Sequence, residues 1–507
     1  MNEIFNLTKE CLEKWSKDPQ SKNKPAFTFI DDESSQTWSY EELWNILNVY
    51  ATNLNKVIKS ANSKILIRMP HSAEYAFCFF ASILADKIPI PASPELSDQE
   101  INFLLKDSEA KEIITVETKH AYDGNYNLIS PKRLNQSISK NELYSSKATA
   151  NEPAFMVYTS GTTSKPKGVL HAHRTILGRK LMKEGWEHYQ ADDNVFHAGT
   201  LNWTFTLGVG LMDVWLAGGH AHLYSGSKEP NKWVEMIEQY HISIFVAVPT
   251  IYRQILKYVE ISKKSLSSLR YGLCSGEPLP KEVLKEWQLK VGTNLYEALG
   301  MTELSTYIST HKNIEIKAGS PGKPQPGRKI VILPEENGTT PLQVNEVGLL
   351  ASHKSDHGLM LGYWKRPEEE KEVFRGDWFI GGDTASIDED GYIWFHGRSD
   401  EIIKSFGYRV SPVEVEAALD ALDNVNESAV FGIQAHENKT LIYAVVVLDD
   451  KSHFLEENIK NTLAKTLAKY KMPHSIYSIN KIPRTRNGKI KRSQLKKEYA
   501  SKTDKSK

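Results

Sequence analysis

Short apolar runs rich in β-branched and aromatic residues recur along the first part of the chain, among them "SKILIRM" (63–69), "KEIITV" (111–116), "FMVYT" (155–159), "HAHLYS" (220–225), "ISIFVAV" (242–248) and "LRYGLCSG" (269–276). Each reads as a strand. Between them lie stretches of helical character such as "EYAFCFFASILA" and "NKWVEMIEQY". This alternation predicts a layered α/β body with mainly parallel sheets. The amino terminus, "MNEIFNLTKECLEKW", reads as an amphipathic helix. Residues 130–152 turn polar and rich in Ser, Asn and Lys, which predicts a surface connection. Beyond residue 325 the turn signals "ENGTT", "RGDWF" and "DEDGY" separate short strands and predict a smaller β-rich subdomain. A break falls near "GRSDEIIKSFGYRVSPVEVE" (397–416), and after it come a helix, the strands "ESAVFGI" and "LIYAVVVL", a long amphipathic helix near 455–470 and a basic tail. That is about one small α/β domain of roughly 100 residues. The division predicted is a large domain over 1–399 and a small one over 400–507, with no internal repeat.

Composition narrows the class. A chain of 507 residues exceeds what one core usually serves, so more than one domain is expected. Apolar residues at 40% and charged residues at 25% are those of an ordinary soluble enzyme. Lys plus Arg equals Asp plus Glu at 63 each, which gives no electrostatic case for a nucleic acid partner. The three cysteines, Cys11, Cys78 and Cys274, form neither a disulfide framework nor a metal spacing, and a reducing cytoplasmic compartment is expected. The longest apolar run, "YAFCFFASILA" (75–85), falls short of the roughly 20 residues a membrane span needs. Neither export nor membrane insertion is expected.

Chemistry first shows in "YTSGTTSKPKG" (158–168), which follows the apolar "AFMVY". A strand ending in a loop of glycines and hydroxyls can aim N–H and O–H donors at a phosphate, with lysine supplying charge. Pro166 and Lys167 intervene where a Walker A loop needs Gly-Lys-Ser/Thr, so the loop is of another kind. Any short fragment of it would suit a plain surface loop equally well.

The whole stretch resembles the signature of the adenylate-forming (ANL) superfamily, which includes acyl-CoA synthetases, with Ser164 where glycine is usual. Further resemblances follow in order: "ALGMTE" (298–303), "GGDTASIDEDGY" (381–392), the 397–416 segment and "PRTRNGKIKR" (483–492). An isolated Thr-Glu or Gly-Asp pair usually means a helix cap or a turn; five segments in sequence leave that alternative little room. The resemblance implies a large domain of layered sheets with a distorted β-barrel subdomain, and a small domain on a hinge. It implies that Thr159, Ser160, Gly161, Thr162, Thr163, Lys165 and Lys167 meet the ATP phosphates, that Thr302 and Arg409 hold the adenylate phosphate, and that Glu303 ligates Mg²⁺. Asp383 would hold the ribose hydroxyls, Arg398 a ribose or phosphate oxygen, and Asp400 the hinge. Lys489 would drive adenylation, and the segment around Gly407 would build a tunnel for coenzyme A.

The same resemblance speaks to the acid. "TLNWTFTLGVGLMDVWLAGG" (200–219) is similar to the acyl-pocket helix of acetyl- and medium-chain acyl-CoA synthetases, placing Trp203 by the adenylate, with Val248, Gly300 and Met301 as further pocket residues. Gly300 stands where acetate-specific relatives carry tryptophan, which implies an acid larger than acetate, short- to medium-chain or cyclic/aromatic. Adenine would pack on Leu299, with Gly276, Glu277 and Pro278 covering its other side. Thr204, Phe205 and Thr206 offer no carboxylate to a substrate ammonium, which argues against an amino acid. The expected function is an ATP-dependent carboxylic acid:CoA ligase working through acyl-AMP, with ATP, Mg²⁺ and coenzyme A. A ligase that loads a carrier protein and a catalytically silent nucleotide-binding relative are the alternatives, and a homodimer stays open.

Overall fold

The computed structural model describes residues 3–117, 122–159, 166–399, 401, 403–405, 408–436, 439–449, 455–484 and 490–503. Its largest sheet has nine strands. The parallel body runs, in spatial order, Pro25–Ile30, His220–Tyr224, Asn194–His197, Ile244–Ala247, Tyr271–Ser275 and Asn294–Met301. Antiparallel strands flank it: Ser35–Ser39 at one end, Ser305–Ser309 and then Lys323–Pro324 at the other. A second sheet of four strands, Ile88–Ala92, Lys64–Arg68, Glu112–Thr115 and Asn127–Ile129, is wholly parallel. The mainly parallel layering expected from the apolar runs is therefore present.

Helices fill the layers between. In Ala73–Leu84 every residue except Glu74 is buried, so this helix needed no polar face and its sequence shows none. The helix Tyr40–Val57 starts at a capping box, with Ser39 accepting from the Glu42 N–H while the Glu42 side chain takes the Ser39 N–H. Leu7–Lys17 is the expected amino-terminal helix, capped by the Asn6 side chain on the N–H groups of Thr8 and Lys9. Trp186, Trp215 and Trp287 lie fully buried, and Trp287 meets Tyr252 edge to face at 4.9 Å.

The strands Pro153–Thr159 and Lys167–Ala172 pair antiparallel, and Gly362–Tyr363 adds to the second of them. Beyond residue 325 the expected β-rich region is a five-stranded antiparallel sheet built from Ile330–Leu333, Gly348–His353, Trp378–Ile387, Phe374–Arg375 and Ile393–Arg398. Gly322 joins the two bodies by a bridge to Ile393, and its φ of +110° and the 2.0 Å that would separate a Cβ from the Ser309 carbonyl oxygen leave room only for glycine. The last part of the chain has a core of its own, in which Val430, Ala444, Val446 and Ile476 from the sheet Val425–His436, Lys439–Leu448 and Ser475–Ser478 pack on Val415 and Leu419 of the helix Pro412–Asp420.

Two expectations need correction. The long helix near 455–470 is only Glu456–Leu463: the chain tightens there, with the N–H groups of Thr466 and Leu467 both bonded to the Leu463 carbonyl, and only a short 3₁₀ turn follows at Lys469–Lys471. Nor is 130–152 merely a surface connection. Ser146 and Ala148 are buried, Tyr144 Oη donates to Asp86 at 2.7 Å, and the Phe5 N–H bonds the Ala148 carbonyl at 2.8 Å, so this polar stretch ties the amino-terminal helix to the body.

Candidate active site

The hydroxyl-rich loop springs from a hairpin whose last register pair is Thr159 and Lys167. Ser160, Gly161, Thr162, Thr163 and Lys165 lie outside the described residues, but both ends of the loop are placed. Lys167 is ion-paired with Glu369 and sits 5.3 Å over the ring of Tyr363. The Tyr363 hydroxyl in turn donates to Glu303 Oε1 at 2.7 Å. One chain of contacts thus connects the loop's exit lysine to the carboxylate expected to ligate Mg²⁺. Burial beside Glu303 holds the Tyr363 hydroxyl protonated, which keeps it a donor to that carboxylate. The sequence marks neither Tyr363 nor Glu369, because "GYWKRPEEE" carries no pattern that points to a partner sixty residues upstream at Glu303.

Thr302 and Glu303 occupy the turn between Asn294–Met301 and Ser305–Ser309, half-buried, with the Glu303 carbonyl accepting from the Met360 N–H at 2.8 Å. Behind this turn, Arg179 Nη1 donates to Ser305 Oγ at 2.7 Å while the same guanidinium forms a two-pronged pair with Asp213. Asp213 belongs to the 200–219 segment, so Arg179 couples the acyl-side helix to the Thr-Glu turn. Leu299 and Gly300 straddle a bulge in the strand pair. A Cβ at Gly300 would stand 2.8 Å from Ser305 O and from Thr306 Cα. The glycine therefore serves the bulge, and a tryptophan at this position would displace the neighbouring strand before it filled a pocket. Met301 leans on Gly381, where an added Cβ would meet its Cε at 2.4 Å, and so faces the strand that carries Asp383.

Asp383 and Arg398 are register partners in adjacent strands, with Arg398 Nη1 at 3.3 Å from Asp383 Oδ1. The two residues expected to grip ribose and phosphate are thus side by side. In the segment expected over adenine, Gly276 has φ +94°, and a Cβ there would meet the Trp203 ring at 3.4 Å and Val248 Cγ1 at 3.7 Å. That contact joins the segment expected over adenine to the residues expected around the acid. Trp203 packs edge to face on Phe205 at 5.1 Å and precedes the short helix Thr204–Leu207. Glu277 accepts from Thr250 Oγ1 at 3.0 and 2.9 Å on its two oxygens, and burial pushes its carboxyl above the usual range. Pro278 is exposed. The segment is braced from behind by Glu297, whose Oε1 accepts from the Leu279 N–H at 3.0 Å and whose fully buried carboxyl is pushed up to about 8.

Arg409 lies in the hairpin strand Tyr408–Val410, opposite Lys404. Asp400, Gly407 and Lys489 lie outside the described residues. The flanks of Lys489 are nevertheless fixed, because Arg484 and Ile490 form a β-bridge and Arg484 Nη1 stands 3.7 Å from Glu277 Oε2.

The segment expected over adenine, the tryptophan expected beside the acid and the Thr-Glu turn each follow a strand of the one nine-stranded sheet, the arrangement expected of an adenylate-forming type of enzyme. The AMP-binding enzyme family matches residues 14–364 and its C-terminal domain matches residues 414–489; the chain belongs to that family. It is 31% identical to the uncharacterized acyl-CoA ligase YtcI of Bacillus subtilis over 97% of this chain and 96% of that protein. With the mitochondrial acyl-coenzyme A synthetase ACSM3 of Mus musculus it shares 30% identity over 98% of this chain and 90% of the relative. Among solved structures, ATP-bound MatB from Rhodopseudomonas palustris superposes with a TM-score of 0.90 at 25% identity, covering 99% of this chain and 100% of the other. A benzoate CoA ligase from Burkholderia xenovorans gives 0.87 at 25% identity, covering 97% and 100%.

Proposed function

We propose that this protein is an ATP-dependent carboxylic acid:CoA ligase that forms acyl-CoA through acyl-AMP and releases pyrophosphate. The observation that carries the reading is the shared wall at Gly276, where the nucleotide side and the acid side meet at Trp203 and Val248. The relatives that align along nearly the whole chain are named as acyl-CoA ligases and synthetases, which supports the same chemistry. The acid is short- to medium-chain or cyclic/aromatic, a choice supported by the apolar Trp203, Val248 and Phe205 and by the benzoate CoA ligase among the structural neighbours.

A carboxylate is a poor electrophile, and activation makes one of its oxygens part of a better leaving group, AMP. In the first step the acid oxygen attacks the α-phosphorus in line, an O–P bond forms, and the bond to the β-phosphate breaks to free pyrophosphate. The protein's task there is positioning and charge neutralisation. Thr302 and Arg409 hold the α-phosphate, Lys489 and Lys167 face the departing charge, and Asp383 with Arg398 fixes the ribose. In the second step the thiol sulfur attacks the acyl carbon, the bond to AMP breaks, and the thiol proton leaves to solvent.

Glu303 suits Mg²⁺: it presents a hard carboxylate oriented by Tyr363. Among the described residues there is no group of three or more His, Cys, Asp or Glu that could hold a metal alone, so the cation would be shared with ATP phosphates, as Mg²⁺ commonly is. When bound, Mg²⁺ would neutralise charge on those phosphates. We further assign 1–399 to the large domain and 400–507 to the small one, with Asp400 as hinge. Among the described residues no helix is long and apolar enough to cross a membrane. Cys11, Cys78 and Cys274 are all buried and unpaired, which suits a reducing, cytoplasmic setting.

Pyrophosphate release from ATP and Mg²⁺ across acetate, octanoate, benzoate and cyclohexanecarboxylate, with and without CoA, tests the reading. CoA-stimulated turnover that peaks on one class larger than acetate is expected. Release without CoA stimulation would indicate a carrier-protein acceptor, and no release with any acid would sink the ligase.

A further inference from the structure

Thr250, Arg253 and Lys257 fall three and four residues apart on the helix Pro249–Tyr258, and so share one face. That face holds the carboxy-terminal part of the chain. Arg253 Nη1 donates to the Asn426 carbonyl at 2.9 Å, and its Nη2 donates to Glu427 Oε1 at 2.8 Å. Lys257 Nζ reaches Asn426 Oδ1 at 3.1 Å. The other oxygen of Glu427 accepts from Arg484 Nη2 at 3.2 Å, and Arg484 Nη1 lies 3.7 Å from Glu277, which Thr250 holds in place. The contacts therefore leave the helix at Thr250, pass through Glu277, Arg484 and Glu427, and return to it at Arg253. Glu427 is the keystone, since it separates two guanidinium groups that would otherwise face each other. Side-chain exposures of 27% for Arg253, 25% for Glu427 and 21% for Arg484 mean that the ring is partly sheltered and its charges are only partly screened.

We propose that Arg253 and Glu427 are positioning residues for adenylation, because their ring pins Arg484 beside Glu277, and Arg484 with Ile490 anchors the two described ends from which the stretch carrying Lys489 departs. The inference rests on the ligase reading and adds to it two residues that touch no reacting atom. Arg484 and Ile490, the described residues on either side of the stretch that carries Lys489, are tied to each other at one β-bridge, so a shift of Arg484 shifts Ile490 with it. The effect is specific to one half-reaction. Charge at the pyrophosphate side matters while the α–β phosphate bond breaks, whereas thiol attack on acyl-AMP releases no pyrophosphate and has no need of the ring.

The test compares Arg253→Gln, Glu427→Gln and the double variant in two assays: pyrophosphate release with the preferred acid, and acyl-CoA formation from supplied acyl-AMP and CoA. Expected are a fall of about tenfold or more in the adenylation kcat of each single variant, a double variant no slower than the worse single, and thioester formation within about twofold of the parent. Arg253→Lys, which keeps the charge but cannot grip both Asn426 and Glu427, should fall between. Unchanged adenylation overturns the proposal. So does an equal loss of both half-reactions, and thermal melting of each variant tells whether such a loss is mere unfolding. Absence of acid-dependent pyrophosphate release in the unsubstituted protein is a different failure, since it removes the ligase reading beneath the proposal.

Discussion

Glu297 is a buried carboxylic acid, with 8% of its surface exposed. Its one described bond, from the Leu279 N–H, does not offset burial, and its carboxyl is pushed up from 4.5 to about 8. The folded state therefore holds a proton that the unfolded chain gives up near 4.5. Stability from this group is full below about 4.5 and is lost as pH rises to about 8, at roughly 1.4 kcal/mol per unit at most. Glu297→Gln keeps the acceptor for Leu279 without the charge, so denaturant melts between those limits should show a flatter pH profile than the parent. Gly300 is the second residue whose surroundings fix its identity. Gly300→Ala places a Cβ 2.8 Å from the backbone of Ser305 and Thr306, and a loss of about 1–3 kcal/mol on urea unfolding is expected. The two residues differ in how the sequence announces them. Gly300 sits in a motif and is expected at the pocket, but its place in a bulge cannot be seen from one strand alone. Glu297, immediately before that motif, gives no sign of burial beyond its apolar neighbours.

At the scale of elements, the strands were the most legible part: "ISIFVAV" became Ile244–Ala247 and "LRYGLCSG" became Tyr271–Ser275, each with its apolar run intact. Continuous apolarity is what a parallel strand covered on both faces requires. The elements that misled were those whose fate depends on a remote partner. The Ser/Lys-rich stretch around Ser146 looked like a loop in water and is held by Asp86 instead. Arg179 is a related case. Its short helix, Thr175–Lys180, has little to stabilise it alone, yet Arg179 is buried with Asp213 at side-chain exposures of 6% and 2%, and also reaches Ser305. Arg179→Met would leave the Asp213 carboxylate buried without its cation, and a loss of about 3–5 kcal/mol is expected. The same variant should raise the KM for the acid, because the 200–219 segment and the Thr-Glu turn lose their shared anchor; an unchanged KM in a folded variant would refute that coupling.

For the whole molecule, the order of motifs along the chain told more than any single one, since it predicted a family whose match spans both parts of the protein. What the sequence could not tell is which surfaces of the two parts meet. Arg253 and Glu427 are 174 residues apart, and neither lies in a pattern that names the other. The prediction that belongs at this scale concerns the division of labour between the parts. Lys489→Ala should slow adenylation about a hundredfold or more while sparing thioester formation from supplied acyl-AMP. Single-turnover measurements of each half-reaction check it, and equal loss of both would refute the assigned role.

The sheet order sets a timetable for biogenesis. Pro25–Ile30 leaves the ribosome early, but its parallel neighbour is His220–Tyr224, and the sheet is closed on its far side only by Ser305–Ser309 and Lys323–Pro324. At about 5–20 residues per second, the amino-terminal strand and the apolar helix behind it wait for roughly ten seconds or more with their hydrophobic faces uncovered. Nascent chains arrested before residue 220 should therefore be held by chaperones and cut readily by protease, whereas chains arrested beyond the Lys323–Pro324 strand should already resist.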